Sequence, residues 1–186
     1  EHVVELGAGT APIARHLARL PDLGSLEIVV CDSHPEAETY QALEREHPGR
    51  IRAIYDPVDF TQPHTWPPKT LLILAGAFHH IPPAMRRQVL QHLSGTSARV
   101  MVFEPVRKTL LSGLFCVSSI TSSLSLPVLF LRRPGKLRRL FWCWCFPVAP
   151  LVFVWEGVVS CTRMWTDDEW RTGLNAALQS DREATV

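Results

Sequence analysis

Residues 3–12 read Val-Val-Glu-Leu-Gly-Ala-Gly-Thr-Ala-Pro, an apolar run that leads directly into a glycine-rich turn. Small residues at such a turn let the backbone approach a ligand closely, and the helix that follows offers unpaired N–H donors in its first turn. We therefore predict that Gly7, Ala8 and Gly9 bind a cofactor. The alternative is a tight strand-to-helix turn without a ligand, because a single G-x-G is a weak signal.

Residues 1–107 repeat this pattern of strand and helix. The candidate strands are 3–6, 26–31, 51–54, 70–75 and 99–103. Between them, apolar residues at helical spacing are Ile13, Leu17 and Leu20, then Tyr40 and Leu43, then Met85, Val89 and Leu93, with Pro83 in the first turn of this last helix. Near-continuous apolar strands separated by helices indicate a parallel sheet covered on both faces. The predicted fold is α/β, a doubly wound, mostly parallel sheet.

The character of the chain changes after residue 108. Residues 110–131 and 140–155 carry no charge, and residues 132–139 between them carry five basic residues. An apolar insertion into the α/β core explains this change most simply. The predicted division is a cofactor-binding core at 1–108, the insertion at 109–162 and a C-terminal helix of the core at 163–186.

The C-terminal helix has its own start signal. Thr166 and Glu169 have the spacing of a capping box. The apolar face predicted for this helix consists of Trp170, Leu174, Ala177 and Leu178.

Composition and charge exclude several classes of protein. The 186 residues carry a net charge of +1 and 46% are hydrophobic, which excludes disorder and gives no general attraction to nucleic acids. Five scattered cysteines, with Cys143 and Cys145 in a lone C-x-C, predict reduced thiols and no zinc site. The chain opens inside a strand pattern without methionine or signal peptide. We expect a piece of a cytoplasmic protein without a metal ion.

Two acidic residues follow the second and third predicted strands. Asp32 comes 23 residues after Gly9, where a carboxylate can accept hydrogen bonds from both hydroxyls of a ribose. Asp59 can reach an adenine amino group in such a layout, and Phe60 is a candidate for stacking on the base. The alternatives are a helix cap before Pro35 for Asp32 and a simple Asx turn for Asp59.

The charges expected around this turn favour a cationic cofactor. Glu5, Asp32 and Asp59 would together repel a pyrophosphate and attract a sulfonium or an ammonium group. Pro12 stands where a dinucleotide fold prefers a third small residue, and no G-K-[ST] sequence follows the turn. Both features disfavour NAD and P-loop nucleotides.

In its combined order of motifs, the sequence resembles the class I S-adenosylmethionine-dependent methyltransferases, in their small-molecule, quinone-methyltransferase-like branch. The matching segments are Glu5-Leu-Gly-Ala-Gly9, Asp32, Val58-Asp-Phe60, Ala77-Phe-His-His-Ile-Pro82 and Phe103-Glu-Pro105. Ala11 replaces a frequent third glycine. The resemblance implies a seven-stranded Rossmann-like fold, truncated here at both ends, and S-adenosyl-L-methionine as cofactor. We add Ala75, the last residue of the fourth strand, to the predicted cofactor site.

His79 and His80 are the predicted catalytic residues. Methyl transfer from a sulfonium is an in-line displacement, so a base is needed only when the acceptor must lose a proton. A histidine, with an unperturbed pKa of about 6.5, suits that task. Either residue has alternatives, namely cofactor or substrate contact, core packing, or a cap for the helix near Pro83. Glu104 either orients one histidine or simply ends its strand.

The insertion has three interpretations. As a lid it would cover the pocket and select a nonpolar acceptor. As a membrane element, its two apolar arms and the bases Arg132, Arg133, Lys136, Arg138 and Arg139 would lie in or against an anionic bilayer at the inner face of the membrane. Residues 110–131 are long enough to span the bilayer, but their serines and Pro127 favour attachment at its surface. Ordinary core packing is the third. The predicted activity is methyl transfer to a nonpolar small-molecule or lipid-like acceptor, and the alternative is an inactive methyltransferase-like module that binds cofactor or lipid at the membrane.

Overall fold

A computed structural model describes residues 2–67, 69–95, 99–129 and 135–184. The chain forms two compact units. One comprises residues 1–105 and 167–186, which we call the sheet unit, and the other comprises residues 106–166, which we call the helical unit.

A five-stranded parallel sheet forms the centre of the sheet unit. Its strands are β1 (His2–Leu6), β2 (Glu27–Cys31), β3 (Ile51–Ala53), β4 (Thr70–Ala75) and β5 (Arg99–Phe103). They lie in the order β3-β2-β1-β4-β5, and every neighbouring pair is parallel. The strand order reverses direction between β1 and β4, which makes their carboxyl ends the topological switch point of the sheet. The α/β fold predicted from the sequence is confirmed.

Three helices connect the strands of the sheet unit: α1 (Pro12–Ala18), α2 (Ala37–Glu46) and α3 (Arg86–Ser94). Ala11, Ala14 and Ala18 of the first connection pack with Tyr40 and Leu43 of α2 into a buried cluster. Small side chains on α1 let that helix lie close to the sheet, while the larger side chains of α2 fill the remaining volume.

The start of one helix and the end of another differ from the sequence prediction. The helix after Pro83 begins only at Arg86, because residues 83–85 form a turn whose Met85 N–H bonds to Pro82 O at 2.9 Å. At the other end of the first helix, Leu20 lies beyond Ala18 and is exposed. Helical spacing of apolar residues therefore extended both predicted helices beyond their true ends.

The edge strand β5 also differs from its neighbours. Val3 and Val4 of β1 are buried on both sheet faces, as expected for a central parallel strand. Met101 and Phe103 of β5 are exposed. Within the described sheet, β5 has a neighbour on one side only.

The described residues of the helical unit form the α-helices α4 (Leu110–Ser118), α5 (Ile120–Leu129), α6 (Lys136–Leu140) and α7 (Val148–Arg163). A π-helical turn at Phe141–Cys145 joins the last two. Thr109 caps α4 by accepting a hydrogen bond from Ser112 N. Within the ranges that the structure describes, no helix has both the length and the apolar character needed to cross a bilayer.

The chain returns to the sheet unit with α8 (Asp167–Ala184), which packs against α3. Its start places Thr166 directly before the first helical residue, as the capping-box pattern predicts. The buried side of α8 includes Gly173 and Ala177, whereas Leu174 is exposed. Leu174, one of the apolar residues predicted for this helix, therefore lies on its exposed side, and the side chain of Leu178 lies outside the described residues.

Candidate functional site

The glycine turn after β1 has two glycines with different surroundings. Gly7 has φ +62° and Gly9 has φ +51°, both in the left-handed region that favours glycine. A Cβ added to Gly7 would lie 3.1 Å from Ala77 Cβ and 3.2 Å from Phe60 Cε1. A Cβ added to Gly9 would meet no atom within 4 Å. Gly7 is therefore required for packing, and Gly9 borders open space where a ligand can approach.

Glu5 lies buried beneath this turn, with 2% of its surface exposed. Its Oε2 accepts a hydrogen bond from Ala14 N at 2.7 Å and its Oε1 one from Ile13 N at 3.4 Å. Burial raises the pKa of the Glu5 carboxyl to about 7, against the opposing effect of these two bonds. The carboxylate thus holds the start of α1 from within, and its direct contact with a cofactor stays a prediction.

Internal hydrogen bonds occupy most backbone N–H groups of the turn. Ala8 N donates to Cys31 O, Gly9 N to an Asp32 carboxylate oxygen and Ala11 N to Ala8 O. Pro12 has no N–H, and Glu5 accepts from the next two residues. A phosphate at a helix N-terminus depends on such N–H groups. The turn therefore fits a pyrophosphate poorly.

Asp32 joins the end of β2 to the glycine turn. Its Oδ2 accepts from Gly9 N at 2.8 Å, and its Oδ1 accepts from His34 N at 2.8 Å and from Ser33 Oγ at 3.4 Å. A carboxylate has about four acceptor positions, so the half-exposed Asp32 retains one for a further donor, and a second when the exposed Ser33 hydroxyl, at 3.4 Å, rotates away. The structure brings Asp32 and Gly9 together as the ribose-site prediction requires, while Asp32 also caps the turn that follows it.

Asp59 and Phe60 follow β3. Asp59 Oδ1 accepts from Thr61 N at 3.0 Å and from Thr61 Oγ1 at 2.7 Å, and these bonds lower the pKa of the Asp59 carboxyl. This is the Asx turn that the sequence left open, and it engages one oxygen of the exposed side chain. The ring of Phe60 lies against Gly7. Phe60 is therefore at the turn, whereas a contact between Asp59 and a base stays a prediction.

The end of β4 forms the other side of the switch point. Ala75 pairs with Phe103 in the sheet, and Gly76 N then donates to Phe103 O at 2.8 Å. Gly76 has φ +64°, which turns the chain so that Ala77 approaches Gly7. The 3₁₀ turn Phe78–His80 begins directly afterwards. Ala75 is thus half-buried at the strand end, two residues from the contact with the glycine turn.

Glu104, after β5, orients one of the two histidines. Its Oε2 lies 2.8 Å from His79 Nδ1, and its Oε1 accepts from Phe78 N at 2.7 Å and His79 N at 3.3 Å. The side chains of His79 and Glu104 are both buried. His80 is exposed, and its ring lies 4.2 Å from the ring of His79. Of the two alternatives for Glu104, the structure supports orientation of a histidine.

The sequence did not predict Arg86 as part of the site. In the structure its side chain is almost fully buried beside the histidine turn. Its Nε donates to Ile81 O at 2.9 Å and its Nη2 to His79 O at 3.2 Å. Its guanidinium also lies 5.6 Å from the centre of the Phe78 ring. An arginine at the start of an amphipathic helix resembles an ordinary solvated side chain, so the sequence contained no signal for its role in holding the histidine turn.

Two groups of predicted site residues therefore meet at the carboxyl edge of the sheet. Phe60 lies against Gly7, as does Ala77, which the sequence did not assign to the site, and Asp32 accepts a hydrogen bond from Gly9 N. Within the described ranges, no cluster of three or more histidine, cysteine or acidic residues could hold a metal ion.

Comparisons with known proteins bear on the fold. No protein-family model matches this sequence, and no curated protein matches it. Among solved structures, the chain is similar to a candidate O-methyltransferase from Nostoc punctiforme PCC 73102, with 16% identity and a TM-score of 0.52. The match covers 95% of this chain and 45% of that protein, so the chain spans less than half of its length. The likeness and the strand order show that this chain has a Rossmann-like α/β fold similar to that of the Nostoc protein.

Proposed function

We propose that this chain binds S-adenosylmethionine and transfers its methyl group to a nonpolar small-molecule or lipid-like acceptor. This proposal is supported mainly by the hydrogen bonds that the backbone N–H groups of the glycine turn and of the start of α1 donate within the protein. Glu5 and Asp32 accept hydrogen bonds from the amides that a dinucleotide fold would offer to a pyrophosphate. The turn is therefore suited to a cofactor without phosphates. S-adenosylmethionine, the cofactor that the resemblance to class I methyltransferases implies, has none.

The residues around the turn fit the parts of this cofactor. Asp32 has acceptor capacity for ribose hydroxyls, and the space beside Gly9 admits a ligand close to the backbone. Phe60 offers an aromatic face at the same turn. The sheet unit contains 17 acidic and 11 basic residues, a net charge of −6, which favours a cationic cofactor.

The reaction needs positioning more than it needs a base. When bound, S-adenosylmethionine supplies a sulfonium methyl group that an in-line nucleophile can attack. The exposed His80 is our candidate for accepting a proton from an acceptor hydroxyl or amine. We assign His79 to positioning, because Glu104 and the buried Arg86 fix its ring and its backbone.

A label-transfer experiment tests this function. The protein is incubated with S-adenosylmethionine carrying tritium in the methyl group, together with a lipid-soluble or a water-soluble cell extract. Label should enter the lipid-soluble fraction only, and His80→Gln should slow the transfer by about 10²-fold or more if an acceptor proton must be removed. Exposed His16 provides the matched control, since His16→Gln should transfer at the wild-type rate.

Two outcomes would overturn the proposal. Transfer into the water-soluble fraction alone would contradict the nonpolar acceptor class. Tight binding of S-adenosylhomocysteine without any methyl transfer would show that the protein is an inactive cofactor-binding module and not an enzyme.

A further inference from the structure

The helical unit exposes an apolar stripe along α4. Leu110, Leu111, Leu114 and Phe115 are 57–82% exposed, at the i, i+1, i+4, i+5 spacing of one helix face. The opposite side of α4 is packed, since Cys116 is buried against α7 at Gly157. The stripe is therefore a true outer face of a helix that already has a packed inner face.

Aromatic side chains are also exposed in the turn after α6 and in the first half of α7. They are between 44% and 68% exposed, and they are Phe141, Trp142, Trp144, Phe146, Phe153 and Trp155. Tryptophan and phenylalanine beside basic residues are typical of helices that lie in a membrane interface. Single exposed apolar residues are ordinary, but large exposed apolar areas mark interaction sites. Most of the exposed large apolar side chains of the described residues belong to the helical unit.

The charge of the helical unit identifies the partner. Its 61 residues include eight basic residues and one acidic residue, Glu156, a net charge of +7. The rest of the chain has a net charge of −6, so the basic residues are concentrated in the unit that exposes the apolar surface. A partner must be both negatively charged and able to accept large apolar side chains.

We propose that the helical unit binds the surface of an anionic lipid bilayer. The aromatic and leucine side chains enter the boundary between headgroups and acyl chains, and the net positive charge of the unit attracts anionic headgroups. A second copy of the chain fits less well, because two units of charge +7 would repel each other. A nucleic acid would satisfy the charge but not the exposed leucines and tryptophans.

This proposal does not depend on methyl transfer. Arg132 and Arg133 enter it only through their charge, since they lie outside the described residues, and nothing is described of the side chains of Lys136 and Arg139. Arg138 is exposed on α6.

Glu156 provides a sharp internal probe of the surface. It lines a groove of about 430 Å³ with Trp142, Val152 and Phe153, three of the exposed apolar side chains of this unit. A negative charge at this position opposes binding to anionic lipid. Glu156→Gln should therefore tighten binding by about fivefold, the opposite direction from a substitution that damages the fold.

The test is flotation of the purified chain with vesicles of phosphatidylcholine alone or of phosphatidylcholine mixed with phosphatidylserine. We expect flotation with the mixed vesicles, little with the neutral ones, and release at high salt. Replacing Arg132, Arg133, Lys136, Arg138 and Arg139 by glutamine should weaken binding at least about a hundredfold. The matched control replaces five exposed bases of the sheet unit, Arg19, Arg45, Lys69, Arg87 and Arg99, and should float like the wild type.

A second variant tests the apolar part of the surface, since charge alone would also explain salt-sensitive binding. Trp142→Ser combined with Trp144→Ser should reduce flotation about tenfold or more while circular dichroism shows an unchanged helix content. Equal flotation of all variants would overturn the proposal. So would binding to RNA without binding to vesicles, or a stable dimer in which the exposed tryptophans become protected and vesicle binding is absent.

Discussion

Glu104 Oε2 lies 2.8 Å from His79 Nδ1, and both side chains are buried at the carboxyl edge of the sheet. A carboxylate can only accept here, so the Nδ1–H of His79 donates and the ring is fixed in one orientation. The same carboxylate accepts from the amides of Phe78 and His79. One residue after β5 therefore holds the whole turn that follows β4.

Removing this carboxylate should destabilise the fold. Glu104→Ala leaves three donors without their acceptor, and we expect a loss of about 3 kcal/mol in the free energy of unfolding. Glu104→Gln keeps one acceptor and should lose less. Urea unfolding followed by circular dichroism measures both, with the exposed Glu38→Ala as a control expected to change by less than about 0.5 kcal/mol. If Glu104→Ala and Glu38→Ala unfold alike, Glu104 does not hold the turn.

The buried Glu5 should make stability depend on pH. Its pKa is raised from 4.5 to about 7 in the folded chain, so the folded state retains a proton that the unfolded state releases. This contribution to stability is complete below about pH 4.5 and is lost as the pH rises through 7, by up to about 3 kcal/mol. Glu5→Gln cannot titrate. The difference in unfolding free energy between wild type and Glu5→Gln should thus shift in favour of the variant from pH 5 to pH 8.

A flat difference over that range would show that Glu5 is charged in the folded chain at all these pH values. A lowered pKa, with the two α1 amides outweighing burial, would give the same flat difference and a loss of wild-type stability only below about pH 4.5.

Alanine substitutions at the two turn glycines should have different effects, because Gly7 is needed for packing and Gly9 borders the space proposed for the ligand. Gly7→Ala combines a left-handed backbone with contacts of 3.1–3.2 Å to Ala77 and Phe60, so we expect a loss of about 2–3 kcal/mol. Gly9→Ala has the backbone cost alone, about 1 kcal/mol. Gly9→Ala should nevertheless bind S-adenosylhomocysteine more weakly than wild type. Unfolding curves and calorimetry check these two effects, and normal binding by Gly9→Ala would contradict the assigned ligand space.

Cys116 and Cys161, the two buried cysteines among the described residues of the helical unit, should form a disulfide bond under oxidation. Cys116 Sγ and Cys161 Sγ lie 3.6 Å apart, where Gly157 lets α4 approach α7 closely. Burial, assisted by Cys116, raises the pKa of the Cys161 thiol to about 11, so few thiolates exist near neutral pH. Treatment with diamide should form the disulfide faster as the pH rises, with the diamide taking up the two hydrogens.

Peptide mapping by mass spectrometry identifies the linked pair. Cys116→Ser should abolish that product, and Cys145→Ser should not affect it. Exclusive linkage to Cys143 or Cys145 would contradict the described packing of α4 against α7.

The sequence was sufficient to predict the sheet because each parallel strand is an apolar run with clear turn signals at its ends. All five strands lie within two residues of their predicted bounds. The partners of the site carboxylates could not be predicted in the same way. Whether Glu5 faces a ligand or the amides of α1 depends on three-dimensional packing, and the same is true of the buried Arg86. Motif spacing places residues at one edge of a sheet without fixing their hydrogen bonds.

The central claim is that the glycine turn binds S-adenosylmethionine, and calorimetric titration with S-adenosylhomocysteine and with NADH tests it most directly. We predict that wild type binds S-adenosylhomocysteine and not NADH. Asp32→Ala should lose about 3 kcal/mol, a hundredfold or more in affinity, because two ribose hydroxyls lose a charged acceptor. Binding of NADH with similar affinity, or equal binding of S-adenosylhomocysteine by wild type and Asp32→Ala, would contradict the account.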